Sequence, residues 1–273
     1  MAKPHWTLDD IAWDRFDPAL VDPDQEKIVR AAAMVEYNAA DYVAYLENVF
    51  GDDADFIAAA RQWGAEEAQH GAALGRWARM ADPSFDFEAR FANFRAGFHL
   101  DVDADKSIRG SRSGELVARC MVEVGTSSYY AALGDATDEP VLQSICRRIA
   151  ADELRHYKLF YRHLKRYLAR EGLNRLQRLR VAFGRITETE DDELSYAYFA
   201  ANESGEPYDR RTCNRAYMRR AFRYYKDPHV DRGLAMVFKA VGLRPHSAMF
   251  NAASYGAKWF MRRRRRQLAR LAA

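Results

Sequence analysis

Ile149-Ala-Ala-Asp-Glu-Leu-Arg-His-Tyr-Lys-Leu-Phe160 decides the reading of this chain. Leu142, Ile145, Cys146, Ile149 and Phe160 form an apolar stripe at helical spacing, and Glu153 and His156 fall on it. Residues three apart share one face of an α-helix, so this carboxylate and this imidazole converge on one point. A single Glu-x-x-His pair is most often an exposed helical contact. Here the pair is repeated: Trp63-Gly-Ala-Glu-Glu-Ala-Gln-His-Gly71 carries Glu67 and His70 in the same relation. Each pair also has a lone Glu upstream, Glu36 at 31 residues before Glu67 and Glu123 at 30 before Glu153.

Outward from these segments the punctuation is regular. Asp22-Pro23-Asp24 opens a helix with an acidic cap and a proline in the first turn. That helix is predicted to run to about Phe50, with Glu36 on its stripe of Ile28, Ala32, Ala39, Val43, Leu46 and Phe50. Gly51-Asp52-Asp53 stops it and caps a second helix over about 53–80, closed by Pro83. A short aromatic helix over about 86–98 follows. A third long helix carries Leu116, Cys120, Glu123, Ser127 and Tyr130 on one face, and Asp138-Glu139-Pro140 opens the fourth. In an antiparallel hairpin, residues equidistant from the turn lie level. Glu36 and Glu67 flank Gly51-Asp52 evenly, and Glu123 and Glu153 flank Asp138 evenly, each about 15 residues or roughly 22 Å away. The expectation is an all-α chain. Residues 1–24 are irregular, 25–172 form an antiparallel four-helix bundle, and 173–273 add helices at about 175–202, 209–226, 229–241 and 247–271 that end in a basic tail packed on the bundle.

Composition narrows the class. With 48% apolar residues in 273, the chain can bury a full core. Cys120, Cys146 and Cys213 form no C-x-x-C, which argues against a disulfide framework, an iron–sulfur cluster or a zinc knuckle and suits a reducing cytoplasm. The N-terminus lacks a basic-then-apolar signal pattern and no 18-residue apolar run is present, so a cytoplasmic protein is expected.

Four carboxylates and two imidazoles on core-facing stripes call for cations, because an uncompensated buried carboxylate costs several kcal/mol. One Glu from each of two helices and Glu-x-x-His from the other two is the ligand set of ferritin-like di-iron and di-manganese carboxylate bundles. Oxygen and imidazole donors without thiolate suit iron, or manganese, better than structural zinc. The expected metal ligands are therefore Glu36, Glu67, His70, Glu123, Glu153 and His156, holding two iron ions. Glu66 and Asp152, each one residue before a ligand Glu, are candidates for orienting the imidazoles from behind.

The same segments resemble the two metal-binding motifs of the soluble acyl-carrier-protein desaturases, W-x-A-E-E-N-R-H-G and I-A-A-D-E-K-R-H. Glu123-Val-Gly-Thr126 is similar to that family's E-x-x-T element. The resemblance covers roughly residues 25–165. Gln69 replaces an arginine, Leu154 replaces a lysine, and no match extends beyond about 175. It implies a ferritin-like bundle with a di-iron centre, Thr126 beside the metals in oxygen activation, and Trp63 on a route for electrons. It also implies O2-dependent desaturation of a carrier-bound fatty acyl chain, with an acyl carrier protein as partner, a homodimer as the assembly, and electrons from an external donor such as a ferredoxin. The sequence itself has no glycine-rich dinucleotide fingerprint to supply electrons internally. Hydroxylation of a non-lipid small molecule and iron oxidation for storage are the competing readings.

Charge is unevenly spread. Residues 210–273 hold 17 Lys and Arg against Asp227 and Asp231, a net +15, and the preceding 209 residues carry −12. This suits an acidic carrier protein, docking against the acidic body of the same chain, or peripheral contact with an anionic membrane through Trp259-Phe-Met261 and Arg262–Arg266. No motif points to nucleic acid.

Overall fold

A computed structural model describes residues 5–188, 192–203, 205 and 207–270. Among these the chain is all-helical, with no strand. The helices are α1 (Pro23–Tyr37), α2 (Ala39–Val49), α3 (Ala54–Ala81), α4 (Phe87–Gly97), α5 (Arg112–Gly134) and α6 (Pro140–Glu171). They continue with α7 (Arg175–Glu188), α8 (Asp192–Asn202), α9 (Arg210–Phe222), α10 (Asp227–Ala240) and α11 (Ala248–Arg270). The four-helix bundle consists of α1 with α2, then α3, α5 and α6; α1 pairs with α3, and α5 with α6.

The boundaries follow from capping chemistry. The side chains of Asp22, Asp53, Ser111 and Glu139 each accept a backbone N–H in the first turn of α1, α3, α5 and α6. Gly172 ends α6 at φ +69, a left-handed conformation that glycine adopts without a Cβ penalty. Glu139 is fully buried, and the Trp77 indole N–H also donates to it at 2.7 Å.

Two differences from the sequence reading bear on the site. The single helix expected to Phe50 is broken at Asn38 (φ −81, ψ 12), one residue after α1 ends and two after Glu36. The close approach of α3 accompanies this break: a Cβ on Gly71 would stand 2.5 Å from the Tyr37 backbone nitrogen. Residues 5–22, expected to be irregular, include three short 3₁₀ turns at Leu8–Asp10, Trp13–Arg15 and Pro18–Leu20. The helix expected over 175–202 is two, α7 and α8, and residues 189–191 between them lie outside the described residues.

Apolar packing forms two clusters. One gathers Ile28, Met34, Leu74, Trp77, Leu133, Leu142 and Ile149, and the other gathers Phe50, Phe56, Trp63, Leu116, Phe160 and Leu164. On each long helix the polar stripe residues fall between the two clusters. The C-terminal helices pack on the bundle: α7 and α10 against α5, α8 against α1, α9 against α8 and α1, and α11 against α10 and α9. No helix among the described residues is long and apolar enough to cross a membrane.

Candidate metal centre

All six stripe residues are buried and meet in the middle of the bundle: Glu36 from α1, Glu67 and His70 from α3, Glu123 from α5, Glu153 and His156 from α6. They form two overlapping quartets, Glu36–Glu67–His70–Glu153 and Glu67–Glu123–Glu153–His156, each offering ligand atoms within 4.8 Å of one another. Glu67 and Glu153 belong to both. Glu67 points Oε2 at His70 Nδ1 (3.3 Å) and Oε1 at His156 Nδ1 (3.0 Å). Glu153 points Oε1 at His70 Nδ1 (3.3 Å) and Oε2 toward His156 Nδ1 (3.8 Å). Each shared carboxylate thus divides its two oxygens between the two imidazoles. Glu36 lies only on the His70 side (3.7 Å) and Glu123 only on the His156 side (3.6 Å).

Protein groups alone do not satisfy this cluster. Both oxygens of Glu123 and Oε1 of Glu153 are buried without a hydrogen-bond partner, and His156 Nδ1 faces Glu67 without hydrogen-bond geometry. Orphaned polar atoms of this kind are rare in a native interior. Burial, reinforced by neighbouring carboxylates, holds the Glu36 and Glu123 carboxyls well above their ordinary range. Burial opposes the His70 and His156 imidazoliums, but the surrounding carboxylates outweigh it and raise both pKa values. Four convergent carboxylates and two imidazole nitrogens, with unpaired lone pairs aimed inward, fit a pair of divalent cations.

Behind the imidazoles the support is crossed. Asp152 of α6 accepts from His70 Nε2 of α3 at 3.1 Å, and Glu66 of α3 accepts from His156 Nε2 of α6 at 2.8 Å. With Nε2 carrying the proton outward, Nδ1 is left as the inward donor. Burial opposes ionisation of Glu66, but the His156 contact and other bonds hold its carboxyl down at about 2. The same balance, led by the His70 bond, lowers Asp152. Arg155 ties the pair together, 3.1 Å from Glu66 and 2.6 Å from Asp152. His5, Glu66 and Asp152 could themselves gather round a cation, but the oxygens of Glu66 and Asp152 are already engaged by His70, His156, Arg155 and Trp6.

The N-terminal segment covers this face. Trp6 donates its indole N–H to Asp152 Oδ2 at 2.6 Å and lies parallel to the His70 ring. Gln69 pins it by donating to the Trp6 carbonyl at 2.8 Å. Trp63 stands elsewhere: its indole nitrogen makes no hydrogen bond among the described residues, and its ring packs edge-on against Phe160. Thr126 presents its hydroxyl to Glu153 Oε2 at 2.7 Å, and Tyr130 donates to Glu36 Oε1 at 2.5 Å. Tyr130 was legible as a member of the Glu123 stripe, seven residues on. Trp6 left no signal, because it lies in a segment without periodicity, 64 residues from His70 in sequence. A narrow cavity of about 60 Å³ reaches the centre, lined by Glu36, Glu67, Glu153 and Thr126 together with Tyr42, Arg119, Arg185 and Glu193.

A family model described as fatty acid desaturase matches residues 31–181, more than half of the chain. The match begins in α1 before Glu36 and includes every residue of both quartets, Thr126, Glu66 and Asp152. No curated protein matches the chain.

Proposed function

The chain belongs to the fatty acid desaturase family, and on that footing we propose that it is a di-iron oxidoreductase that uses O2 to oxidise an unactivated C–H bond of a fatty acyl substrate. The observation that carries the metal assignment is the division of Glu67 and Glu153 between His70 and His156, which gives each of two cations one imidazole, one private carboxylate and a share of two others. A bound iron pair supplies the oxygen-dependent removal of hydrogen from carbon. Glu36, Glu67, His70, Glu123, Glu153 and His156 would hold it. Asp152 and Glu66 keep the imidazole protons on Nε2, and the bundle's two apolar clusters keep bulk water from the polar layer. Thr126, 2.7 Å from Glu153 Oε2 and facing the cavity, can hold a proton where oxygen chemistry needs one.

Electrons are proposed to come from an external donor. The Trp6–Asp152–His70 chain supports arrival at the N-terminal face, since an indole, a carboxylate and an inward imidazole are joined there by two hydrogen bonds. An acyl carrier protein as the substrate's carrier follows from the motif resemblance, and the basic C-terminal quarter suits it. Part of that charge is engaged within the chain, in Lys258–Asp231, Arg262–Asp227 and Arg220–Asp24 pairs of 2.6–2.8 Å. The narrow cavity, whose lining adds the charged Arg119, Arg185 and Glu193 to the carboxylates of the centre, favours a second reading, an oxygenase of a smaller and more polar molecule. One experiment tests both. Purified protein is expected to bind two irons per chain and, with a reductase–ferredoxin couple and O2, to convert an acyl substrate to a product lighter by two hydrogens. A product heavier by one oxygen favours the second reading, and fewer than two metals per chain overturns the assignment of the centre.

A further inference from the structure

Helix α11 has two unlike faces. Phe250, Ser254 and Leu268 are buried against the chain, whereas Met249, Tyr255, Trp259 and Phe260 are each more than half exposed. By helical periodicity these four side chains, and Arg262, Arg263 and Arg266 beyond them, all fall on the outward half of the helix surface. A single exposed apolar residue needs no explanation, but a row of four on one face marks an interaction site. The charge around the row is of one sign: residues 248–273 contain seven Lys and Arg and no Asp or Glu. Two of these charges are answered within the chain, Lys258 by Asp231 and Arg262 by Asp227, both at 2.6 Å. Arg263 and Arg266 are exposed and have no carboxylate partner among the described residues; Arg263 lies over the Trp259 ring, 5.4 Å from its centroid. Trp259, Arg262, Arg263 and Arg266 together line an open hollow of about 410 Å³, roomy enough for a phosphate headgroup.

We propose that the outward face of α11 docks reversibly on an anionic lipid surface, with the Tyr255, Trp259 and Phe260 rings in the headgroup layer and Arg263 and Arg266 on lipid phosphates. Tyrosine and tryptophan rings favour that layer because one end is apolar and the other wet. Arginine stems lie along apolar surface while their guanidiniums stay with the phosphates. A second copy of the chain does not fit, because pairing this face with itself would set two acid-free arginine runs against each other. An acidic protein would answer the arginines alone. A lipid surface answers both features, since hydrocarbon lies directly beneath its plane of negative charge. The contact is peripheral, as no helix among the described residues can cross a membrane. It does not depend on the reading of the metal centre.

The test is co-sedimentation of the purified full chain with vesicles of phosphatidylcholine alone or of phosphatidylcholine mixed with phosphatidylglycerol. Binding to the anionic vesicles is expected to be at least about tenfold tighter than to the neutral ones, as two unpaired arginines near a negative leaflet imply. It should be accompanied by a blue shift of tryptophan emission. Arg263→Gln with Arg266→Gln is expected to bring the two vesicle types to within about twofold of each other. Trp259→Ser with Phe260→Ser is expected to abolish the blue shift and to weaken binding to anionic vesicles about tenfold. Circular dichroism checks that both variants fold; all four side chains are exposed and touch no residue of the metal cluster. Equal binding to the two vesicle types by the unaltered chain would overturn the proposal. So would anionic binding that survives both variants, which is what adsorption through another basic surface would produce. Capture of an acyl carrier protein by a chain that leaves vesicles unbound, lost with the arginine variant, would assign the face to an acidic protein instead.

Discussion

Glu67 and Glu153 each present one oxygen to either histidine, whereas Glu36 and Glu123 each serve one side only. Removing a shared carboxylate should therefore disturb both cations, and removing a private one should disturb one. Glu123→Ala is expected to retain about one metal ion per chain and Glu67→Ala close to none, as read by plasma mass spectrometry after dialysis. Equal losses would contradict the sharing. The Trp6 indole makes a separate prediction, since it touches Asp152 and no proposed ligand by hydrogen bond. Trp6→Phe should leave metal content intact while slowing reduction of the centre by an external donor at least about tenfold, in the range seen when groups behind a ligand are removed. Stopped-flow absorbance would show it. Metal loss instead would make Trp6 a purely structural cover.

At the scale of helices, the site depends on how closely α1 and α3 approach. His70 and Gly71 are adjacent on α3, and Glu36 and Tyr37 are adjacent at the end of α1. A Cβ at Gly71 would meet the Tyr37 nitrogen at 2.5 Å and its Cα at 2.7 Å, both backbone atoms that cannot turn aside. Gly71→Ala is expected to cost about 2 kcal/mol despite alanine's better helix propensity. It should also weaken metal binding by parting Glu36 from His70; chemical denaturation and metal titration would measure the two effects. The cap of α3 gives a pH prediction. Burial opposes ionisation of Asp53, but the Tyr167 hydroxyl at 2.6 Å, the Phe56 amide at 3.1 Å and Arg166 outweigh it and lower its pKa. A depressed carboxyl contributes stability above its unfolded value and loses it as pH falls through the folded value. The gap between the unaltered chain and Asp53→Asn, about 1–3 kcal/mol at neutral pH, should close below about pH 4. A gap constant from pH 7 to 3 would remove Asp53 from the acid response.

For the whole molecule, the basic C-terminal quarter acts partly as a clamp. Arg220 of α9 and Arg223, just past its end, hold Asp24 in the first turn of α1, and Arg223 also reaches Asp22 at 3.4 Å. Lys258 and Arg262 of α11 hold Asp231 and Asp227 of α10. These pairs are partly exposed, up to about half, and screened by salt, so each contributes modestly. Asp22→Asn with Asp24→Asn should lower stability by about 1 kcal/mol at low ionic strength, a loss that shrinks as salt is raised and leaves metal content unchanged. A loss that is independent of salt would mean that α9 is held by packing alone. On the opposite side of the charge question, Tyr255, Trp259 and Phe260 of α11 remain more than half exposed.

The all-helical bundle and its six-residue polar layer were legible in the sequence because both depend on periodicity. A 3.6-residue repeat determines which side chains share a face, and equal distances from Gly51-Asp52 and Asp138 determine which faces lie level. Caps at Asp22, Asp53 and Glu139 are local chemistry and were readable for the same reason. Tertiary structure decided the rest, where the partners are far apart in sequence and no period links them. That Glu67 and Glu153, and not Glu36 or Glu123, span both histidines depends on the rotation of four helices about their axes. That Asp152 supports His70 and Glu66 supports His156, each across the bundle, depends on α3 facing α6. Trp6 covers that face only because an N-terminal segment without helical periodicity folds back onto the bundle, and Arg185 reaches the cavity beside Arg119 because α7 packs on α5.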